Sequence, residues 1–345
     1  MRFFISYLLS VAFLVTSVFS CSHEYELDAI FSPLPPISGG DNTEPYGWQI
    51  EHFGGGAYMV TEGVYQALFV VSTDGVILVD APPTIGPKIG YAISNVTHLP
   101  VTHFVYSHSH ADHAAGAYLY ANNNVQIIGQ DWTARKLAEA SDKKRPVPRI
   151  TFPDNYTLKV GNQTLELSYK GENHELGNIF IYAPCQKVLM LVDVVFPGWV
   201  PFAQLAVSTN IPGWVNSHYQ ILQYDFEYYI GGHIGRSGNR ADVETQLEYV
   251  MDLLNNCNKT ITLSGTDDPV VGTEALLGKV SQLNPGNYWA EFKAYLDITA
   301  EYCANVTNEK WLGVLGGADV FGFENAYTMI ESLRIDWDNL GPFGG

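Results

Sequence analysis

Short apolar runs separated by turn residues dominate the chain between residues 57 and 230. They are rich in Val, Ile, Tyr and Phe, and they are short enough to predict buried strands rather than helices. The turn at Thr73, Asp74 and Gly75 predicts a hairpin. The predicted strands are 57–61, 66–72, 75–80, 101–106, 126–128, 158–160, 163–169, 179–183, 188–192 and 227–230.

Segments with apolar residues at helical spacing lie between these strands and follow them. Up to residue 255 the predicted helices are 85–93, 114–121, 131–140, 215–223 and 241–255. Strands and helices interleave in two successive halves, which predicts a layered α/β sandwich. Beyond residue 268 the pattern is helical only, at 273–283, 287–304 and 325–333. We expect a catalytic domain over 47–267 and a helical extension over 268–345 that covers the rim of a site, joins two chains or only packs on the sandwich.

The first twenty residues have the pattern of a secretory signal peptide. Arg2 precedes an apolar run over 3–19, and Val18 and Ser20 are small residues at the expected cleavage site. We expect cleavage after Ser20, with an uncleaved membrane anchor or a lipoprotein modified at Cys21 as alternatives. Residues 21–46 are rich in Pro and Gly without periodicity, which predicts an extended linker.

Composition and charge indicate an ordered protein with a small-molecule substrate. Of the 345 residues, 46% are hydrophobic and 16% are charged, which is typical of a globular chain. The 36 acidic and 18 basic residues give a net charge of −18. This charge argues against nucleic acid as a partner and against stable association with anionic membranes after signal cleavage.

Sequons and cysteines agree with a secretory route. Asn-x-Ser/Thr sequons, which predict a secreted glycoprotein, occur at Asn95, Asn155, Asn162, Asn258 and Asn305. The four cysteines, Cys21, Cys185, Cys257 and Cys303, are too scattered for a zinc knuckle. A bridge such as Cys257 to Cys303 is one possible pairing in an oxidising compartment, and burial as small hydrophobic residues is the alternative.

A dense group of imidazole and carboxylate side chains follows the strand predicted at 101–106. It consists of His108, His110, Asp112 and His113. In an extended backbone His108 and His110 point the same way, while Asp112 and His113 face a second point. These side chains are the ligand types that Zn²⁺ and related ions prefer, so the segment predicts a metal site, with hydrogen-bonded structural histidines as the alternative.

Three further candidate ligands stand at the ends of predicted strands. His174 lies in the turn between two strands, Asp193 follows the run 188–192, and His233 follows the strand 227–230 and two glycines. Polar groups at strand ends can meet at one edge of a sheet. Each residue alone is also compatible with an ordinary strand-end role.

The segment His108-Ser-His-Ala-Asp-His113, followed by His174, Asp193 and His233, resembles the metallo-β-lactamase superfamily. The run ILVDAPP at 77–83 matches an early strand motif of the family, and the resemblance spans about 49–255. It implies a four-layer αββα sandwich with a dinuclear site at one edge. The first ion would be bound by His108, His110 and His174, and the second by Asp112, His113 and His233, with Asp193 bridging both. Asp80 would orient the ligand loop from behind, or, as the alternative, only cap the turn after its strand.

The resemblance implies two divalent ions, with Zn²⁺ expected and Mn or Fe as alternatives. Such a pair lowers the pKa of a bridging water, so the expected reaction is hydrolysis by a metal-bridging hydroxide. Asp112 is the expected catalytic residue that accepts a proton. Asp193 stands where β-lactamases carry Cys or Ser, which favours a lactonase, glyoxalase or esterase activity on a lactone, ester or related acyl compound.

Substrate residues follow from weaker patterns. Phe196, Trp199, Phe202 and Trp214 are candidates for an apolar acyl pocket or for plain core. Arg236 is a candidate for a substrate carboxylate, or it pairs with an acidic side chain. Quorum-quenching lactonases carry a Tyr shortly after the bridging Asp; here Val194 to Pro197 offer no hydroxyl, and Tyr106, Tyr118 or another tyrosine would have to substitute.

Three alternative functions stay open. A single-iron oxidoreductase of the persulfide dioxygenase kind would need only one filled site, which the complete second ligand set disfavours. A secreted metal-binding protein without activity would keep the site for another purpose. A nuclease is disfavoured by the acidic charge. The expected partner is a small-molecule substrate; a homodimer formed through the helical extension is one of the alternatives left open for that extension.

Overall fold

The computed structural model describes residues 30–39, 46–122 and 124–344. The predicted signal peptide, Cys21 and most of the predicted linker lie outside the described residues. Ser32–Gly345 forms one compact unit, and of the separate unit Met1–Phe31 only the last two residues are described.

The first sheet has seven strands in the order β1-β2-β3-β4-β5-β6-β7. Strands β1 to β4 pair antiparallel, and β4 to β7 pair parallel. Their bounds are β1 Gln49–Gly54, β2 Ala57–Thr61, β3 Gln66–Val71, β4 Val76–Val79, β5 Val101–Val105, β6 Gln126–Gln130 and β7 Ile150–Phe152.

The second sheet has five strands in the order β12-β11-β10-β9-β8. Strands β8 to β11 pair antiparallel, and β11 pairs parallel with β12. The bounds are β8 Asn155–Val160, β9 Gln163–Ser168, β10 Phe180–Ala183, β11 Val188–Met190 and β12 Tyr228–Ile230.

Helices flank both sheets. They are α1 Gly86–Val96, α2 Ala111–Ala114, α3 Asp131–Ala140, α4 Ala203–Val207, α5 Ile211–Ile221, α6 Arg240–Ser264, α7 Thr273–Leu283, α8 Tyr288–Trp311 and α9 Ala318–Ile335. Among the described residues, none of these helices is both long and apolar enough to cross a membrane.

Three apolar cores separate four layers, because successive strand residues point to opposite faces. In β4, Ile77 and Val79 face the core between the two sheets, whereas Val76 and Leu78 face the core beneath α1 and α3. In β11, Val188 and Met190 face the inter-sheet core. Leu189 of the same strand faces a third core, shared with α5, α6, α8 and α9. The predicted αββα sandwich with C-terminal helices is therefore confirmed.

The helices beyond residue 268 share this third core with the second sheet. Apolar residues of α6, α8 and α9 pack together beneath β10 and β11. Cys257 of α6 and Cys303 of α8, the pair named as one possible bridge, form a buried disulfide. The C-terminal helices are therefore part of the compact unit rather than a separate body.

Some predicted elements differ from the structure. The prediction missed β1 and β7, which are the two edge strands of the first sheet. The helix predicted at 114–121 is wrong: α2 ends at Ala114 and only a 3-10 turn follows, at Ala117–Leu119. Gly116 interrupts the helix because its amide donates to Ala81 O, and a Cβ on Gly116 would lie 2.5 Å from that oxygen.

Candidate metal centre

Loops at one edge of the two sheets bring the seven predicted ligands together. His108 and His110 lie between β5 and α2, and α2 carries Asp112 and His113. The loop between β9 and β10 carries His174. Asp193 and His233 follow β11 and β12, which are neighbouring parallel strands.

The backbone at this edge takes conformations that few side chains adopt. Asp80 and Asp193 have positive φ values of 61° and 64°. Gly232 has φ of 90°, and a Cβ there would lie 2.5 Å from Val192 Cγ1 and 3.1 Å from His113 Cε1. Strain of this kind persists where the surrounding structure holds it, commonly at functional sites.

One group of ligand atoms surrounds a first point. His108, His110, His174 and Asp193 each offer an atom within 4.8 Å of the others. His110 Nδ1 and His174 Nε2 are 2.8 Å apart. Asp193 Oδ2 lies 3.4 Å from His108 Nε2 and 3.1 Å from His174 Nε2.

Asp112, His113 and His233 surround a second point. His113 Nε2 and His233 Nε2 are 3.0 Å apart. Asp112 Oδ2 lies 3.4 Å from His113 Nε2 and 3.8 Å from His233 Nε2. Asp193 faces this group as well, with Oδ1 3.0 Å from His233 Nε2 and Oδ2 3.3 Å from His113 Nε2. One carboxylate therefore stands between the two groups.

Divalent ions fit this arrangement. A nitrogen of His110 faces one of His174, and a nitrogen of His113 faces one of His233. The lone pairs of each facing pair can both bind one cation placed between them. The buried His108 Nε2 has no hydrogen-bond partner among the described residues, and it points into the cluster. Imidazole with carboxylate is the donor set that Zn²⁺ and neighbouring transition metals accept.

The buried negative charge of the Asp193 carboxylate also favours a bound cation. Burial opposes ionisation of Asp193, but attraction by His113 and His174 outweighs it and holds the pKa of Asp193 well below its usual range. Burial opposes protonation of His113, yet Asp193 outweighs it and raises the pKa of His113 to about 9. Without metal, a proton on His113 thus provides the positive charge that this carboxylate requires.

Hydrogen bonds behind the ligands fix their orientation. Ser107 Oγ lies 2.8 Å from His108 Nδ1, which leaves Nε2 to face the cluster. The Ser107 amide donates to Asp80 Oδ1 at 2.9 Å, so Asp80 contacts the loop that carries His108 and His110. Burial raises the pKa of Asp80 to about 6.

Glu175 is a supporting residue that the sequence analysis missed. Its buried carboxylate accepts hydrogen bonds from Ser109 N, Ser109 Oγ and Lys136 Nζ. Its Oε2 also lies 3.3 Å from His110 Nε2, on the side of the ring away from His174. Burial opposes ionisation, but His110 and Lys136 outweigh it and lower the pKa of Glu175. Such a partner sets the ring orientation of a ligand and raises its basicity.

An apolar pocket of about 310 Å³ opens beside the second group. Two of the predicted substrate residues, Phe196 and Trp199, line it together with the less specific candidate Phe202. The rings of Phe196 and Phe202 pack edge to face with centroids 5.7 Å apart, and each lies within 6 Å of the His233 ring. The complete lining is Tyr65, Asp112, Phe196, Trp199, Val200, Phe202, His233, Ile234 and Phe321.

Two other candidates have structural partners away from the pocket. Arg236 donates to both carboxylate oxygens of Asp242 and to Ile37 O, which is the alternative stated for it, pairing with an acid. Trp214 is fully buried, and its indole N–H donates to Asp193 O at 3.1 Å. Trp214 therefore holds the backbone of Asp193 from behind.

A tyrosine from a different part of the chain lines the pocket. The Tyr106 hydroxyl donates to Pro146 O, and Tyr118 does not line the pocket. Tyr65, between β2 and β3, does line it, with its ring 4.8 Å from His233 and 5.5 Å from His113. No local sequence pattern marks this tyrosine, because its neighbours come from β12.

A left-handed turn borders the first ligand group. The last four residues of α4 have φ between 52° and 63°, a conformation that costs about 1–2 kcal/mol per residue. Asn325 of α9 holds the turn by accepting a hydrogen bond from Leu205 N at 2.8 Å. The next residue, Ser208, places its Oγ 3.5 Å from His174 Nδ1.

Comparison with known proteins agrees with this geometry. Residues 60–244 match the family model described as "Metallo-beta-lactamase superfamily". The chain is 28% identical over 197 residues to the 2,4-dinitroanisole O-demethylase subunit alpha of Nocardioides sp. strain JS1661, a match over 55% of this chain and 60% of that relative. It is 21% identical over 210 residues to the metallo-beta-lactamase type 2 of Elizabethkingia meningoseptica, over 56% of this chain and 76% of that protein.

The fold is also similar to solved structures. A metallo-beta-lactamase from Pontibacter korlensis aligns with a TM-score of 0.52 and 21% sequence identity. The alignment covers 97% of that protein but only 58% of this chain. Helices α7, α8 and α9 lie beyond the matched residues 60–244.

Proposed function

Because the chain belongs to the metallo-beta-lactamase superfamily, we propose that it is a hydrolase that uses two divalent metal ions, with Zn²⁺ expected, to cleave a lactone, ester or related acyl compound. The position of Asp193 carries this proposal. Its carboxylate contacts ligands of both groups, which is the arrangement of a residue that bridges two ions. Each group contains at least three side chains that can bind an ion.

When bound, two such ions lower the pKa of water and polarise a carbonyl oxygen. The residues of the chain contribute position and charge. His108, His110 and His174 would hold the first ion, and Asp112, His113 and His233 the second. Trp214 holds the backbone of Asp193 and Glu175 orients the ring of His110, so these ligands are arranged before substrate arrives.

Asp112 is the residue we assign to proton transfer. Its Oδ2 faces His113 and His233, and no hydrogen bond holds its Oδ1 among the described residues. The side chain is 40% exposed and lines the apolar pocket, so Oδ1 can hold a proton next to a bound substrate. A carboxylate in such a position typically contributes about 10²–10⁴-fold in rate.

An aromatic ether is a second candidate substrate. The relative from Nocardioides is named as an O-demethylase of dinitroanisole, and four phenylalanine or tryptophan side chains line the pocket here: Phe196, Trp199, Phe202 and Phe321. The match covers less than two thirds of that relative, so this activity enters as a candidate beside ester hydrolysis.

Metal content and turnover test the proposal together. The purified protein should hold about two metal ions per chain, and it should hydrolyse at least one member of a panel of lactones, esters and aryl methyl ethers. His113→Ala should lower the content to about one ion and abolish turnover, whereas the exposed control His98→Ala should change neither. Fewer than one ion per chain together with no turnover would contradict the proposal. One iron per chain with sulfur-dependent oxygen uptake would support the oxidoreductase instead.

We also propose that the protein is secreted and glycosylated. The N-terminal pattern, the Cys257–Cys303 disulfide and five sequon asparagines that are all exposed support this proposal. Expression in a eukaryotic cell should deliver the protein to the medium with a mass that falls on treatment with a glycosidase. Retention in the cytosol with an unmodified mass would contradict it.

A further inference from the structure

We infer that the pocket beside the second ligand group selects uncharged substrates that carry an aromatic ring, and that the Tyr65 hydroxyl orients them by a hydrogen bond. We call the pocket the aromatic cleft and define it by Tyr65, Phe196, Trp199, Phe202 and Phe321. The inference rests on the proposed function, since the cleft borders the ligands Asp112 and His233.

The charges around the cleft disfavour a substrate that carries an anionic group away from its reacting atoms. Neither lysine nor arginine lines it among the described residues. Two cations near the metal ligands already have partners: Lys136 pairs with Glu175, and Arg145 pairs with Asp142 and donates to Ser109 O. Bound metal ions would attract the group that reacts, but a carboxylate elsewhere on the molecule would lose water without gaining a partner in the cleft.

The lining of the cleft favours an aromatic ring. A volume of about 310 Å³ is at the small end of the range of ~300–1,000 Å³ for small-molecule sites. Aromatic side chains pack against a flat ring edge to face or offset, as Phe196 and Phe202 do against each other. The cleft thus suits a flat aromatic ring that carries a short reacting group.

The cleft is rigid on the side of Trp199. The Trp199 indole donates to Ser38 O at 2.9 Å, and Ser38 Oγ donates to Gly198 O at 2.6 Å. The backbone of this wall also pairs with Gly316, through Val200 N to Gly316 O and Gly316 N to Gly198 O, both at 3.0 Å. A Cβ at Gly316 would lie 2.8 Å from the Trp199 ring, so a glycine is required there. A wall that is already fixed loses little conformational entropy when a ligand binds, which favours affinity for a ligand of matching shape.

Phe321 comes from α9, outside the part of the chain that matches the family model. This helix also carries Asn325, which holds the left-handed turn after Phe202. The C-terminal helices therefore complete the substrate site, a role that the family region cannot fill alone. Phe323, two residues along the same helix, points to solvent and does not line the cleft.

Tyr65 is the polar group best placed to contact a substrate in the cleft. Its backbone forms an antiparallel bridge with His233, flanked by hydrogen bonds from Gln66 N to Gly232 O and from Ile234 N to Val64 O. The Tyr65 hydroxyl makes no hydrogen bond to another described residue. A phenol donates one hydrogen bond, so it can bind the acyl or ether oxygen of a substrate whose reacting atoms lie at Asp112.

Binding of amides that resist hydrolysis tests the inference without relying on turnover. Isothermal titration calorimetry on the zinc-loaded protein would compare acetanilide, 4-acetamidobenzoate and N-methylacetamide. Acetanilide should bind at least about tenfold more tightly than the other two, because one carries an unpaired charge and the other lacks the ring. Equal or tighter binding of 4-acetamidobenzoate, or equal binding of N-methylacetamide, would overturn the inference.

Matched variants locate the effect. Phe321→Ala should weaken acetanilide binding by about tenfold, while Phe323→Ala should leave it unchanged. Tyr65→Phe should weaken acetanilide binding by about three- to tenfold but leave the binding of toluene, which lacks an acceptor, unchanged; Tyr91→Phe on the exposed face of α1 is the control. Equal effects of Tyr65→Phe on both ligands would show that Tyr65 acts only through packing. Thermal melting and zinc content confirm that each variant is folded and loaded.

Turnover separates the two proposals. If the protein binds acetanilide selectively but hydrolyses none of the panel, the proposed hydrolase function fails and the ring specificity holds. If phenyl acetate and methyl acetate are hydrolysed with kcat/KM values within about threefold of each other, the hydrolase function holds and the ring specificity fails.

Discussion

His218 should make the folded state sensitive to acid, and its surroundings give the magnitude. The imidazole is fully buried, with Nδ1 3.1 Å from Trp214 O and Nε2 2.9 Å from Gln246 Nε2. A carbonyl oxygen only accepts, so Nδ1 carries the proton; the Gln246 amide then donates to Nε2. A second proton, on Nε2, would point at the N–H of that amide, so the ring stays neutral in the folded chain.

Burial lowers the pKa of His218 from 6.5 to about 4. As the pH falls below 6.5, the unfolded chain binds a proton at this position while the folded chain does not. The contribution of His218 to stability is therefore complete above about pH 6.5 and is lost between pH 6.5 and about 4. A shift of one pKa unit corresponds to about 1.4 kcal/mol, so the loss by pH 4 is about 3 kcal/mol.

Urea unfolding of wild type and His218→Gln, followed by tryptophan fluorescence at several pH values, measures this loss. Glutamine can make both hydrogen bonds but does not titrate. Between about pH 7.5 and about pH 4 the wild type should lose about 3 kcal/mol more of its unfolding free energy than the variant. The metal ligands titrate equally in both proteins, so they cancel in the difference, and the exposed control His98→Gln should follow the wild type. Curves for wild type and His218→Gln that stay parallel within about 0.5 kcal/mol would refute the reasoning.

Further predictions concern the disulfide and the metal centre. Replacing Cys257 and Cys303 by alanine opens a loop with a sequence separation of 46 and should lower the unfolding free energy by about 4 kcal/mol in a urea titration; a loss under about 1 kcal/mol would contradict this. Glu175→Gln removes the charge behind His110 and should weaken zinc binding by about 10–100-fold in competition with a chelator, whereas unchanged affinity would mean that Glu175 only supports the loop. Asp112→Asn should lower kcat by about 10²–10⁴-fold, measured on zinc-loaded protein, and a fall of less than tenfold would exclude the proton-transfer role.

The buried strands and the segment from His108 to His113 could be predicted because each is marked by the types of neighbouring residues in the sequence. Strands such as β4 and β11 are buried on both faces, so they appear as continuous apolar runs. The group from His108 to His113 is dense enough in imidazole and carboxylate to indicate metal binding by itself. His174, Asp193 and His233 could be added because they follow strands, and strand ends meet at a sheet edge.

Edge strands were harder to predict. Strands β1 and β7 border the first sheet and have only one strand neighbour, so their side chains are partly exposed and their apolar pattern is weak. Strand β8 lies at the edge of the second sheet, and the sequence predicted only its last three residues, 158–160. Its exposed and less exposed residues do alternate from Asn155 to Val160, but only Leu158 and Val160 are buried aliphatic residues, so the first half lacks an apolar run.

The sequence by itself determined that strands and helices form a layered α/β sandwich, and it marked the ligand segment from His108 to His113, because both signals come from residues close together in the chain. Only the tertiary structure decided what surrounds that centre. Glu175 contacts His110 although the two residues are 65 positions apart in the chain. Tyr65, in a loop of the first sheet, pairs with His233, which follows a strand of the second sheet. Phe321 lines the cleft from a helix beyond the family region. These contacts join residues that are far apart in the chain and meet only through tertiary packing, so no spacing or periodicity in the sequence encodes them.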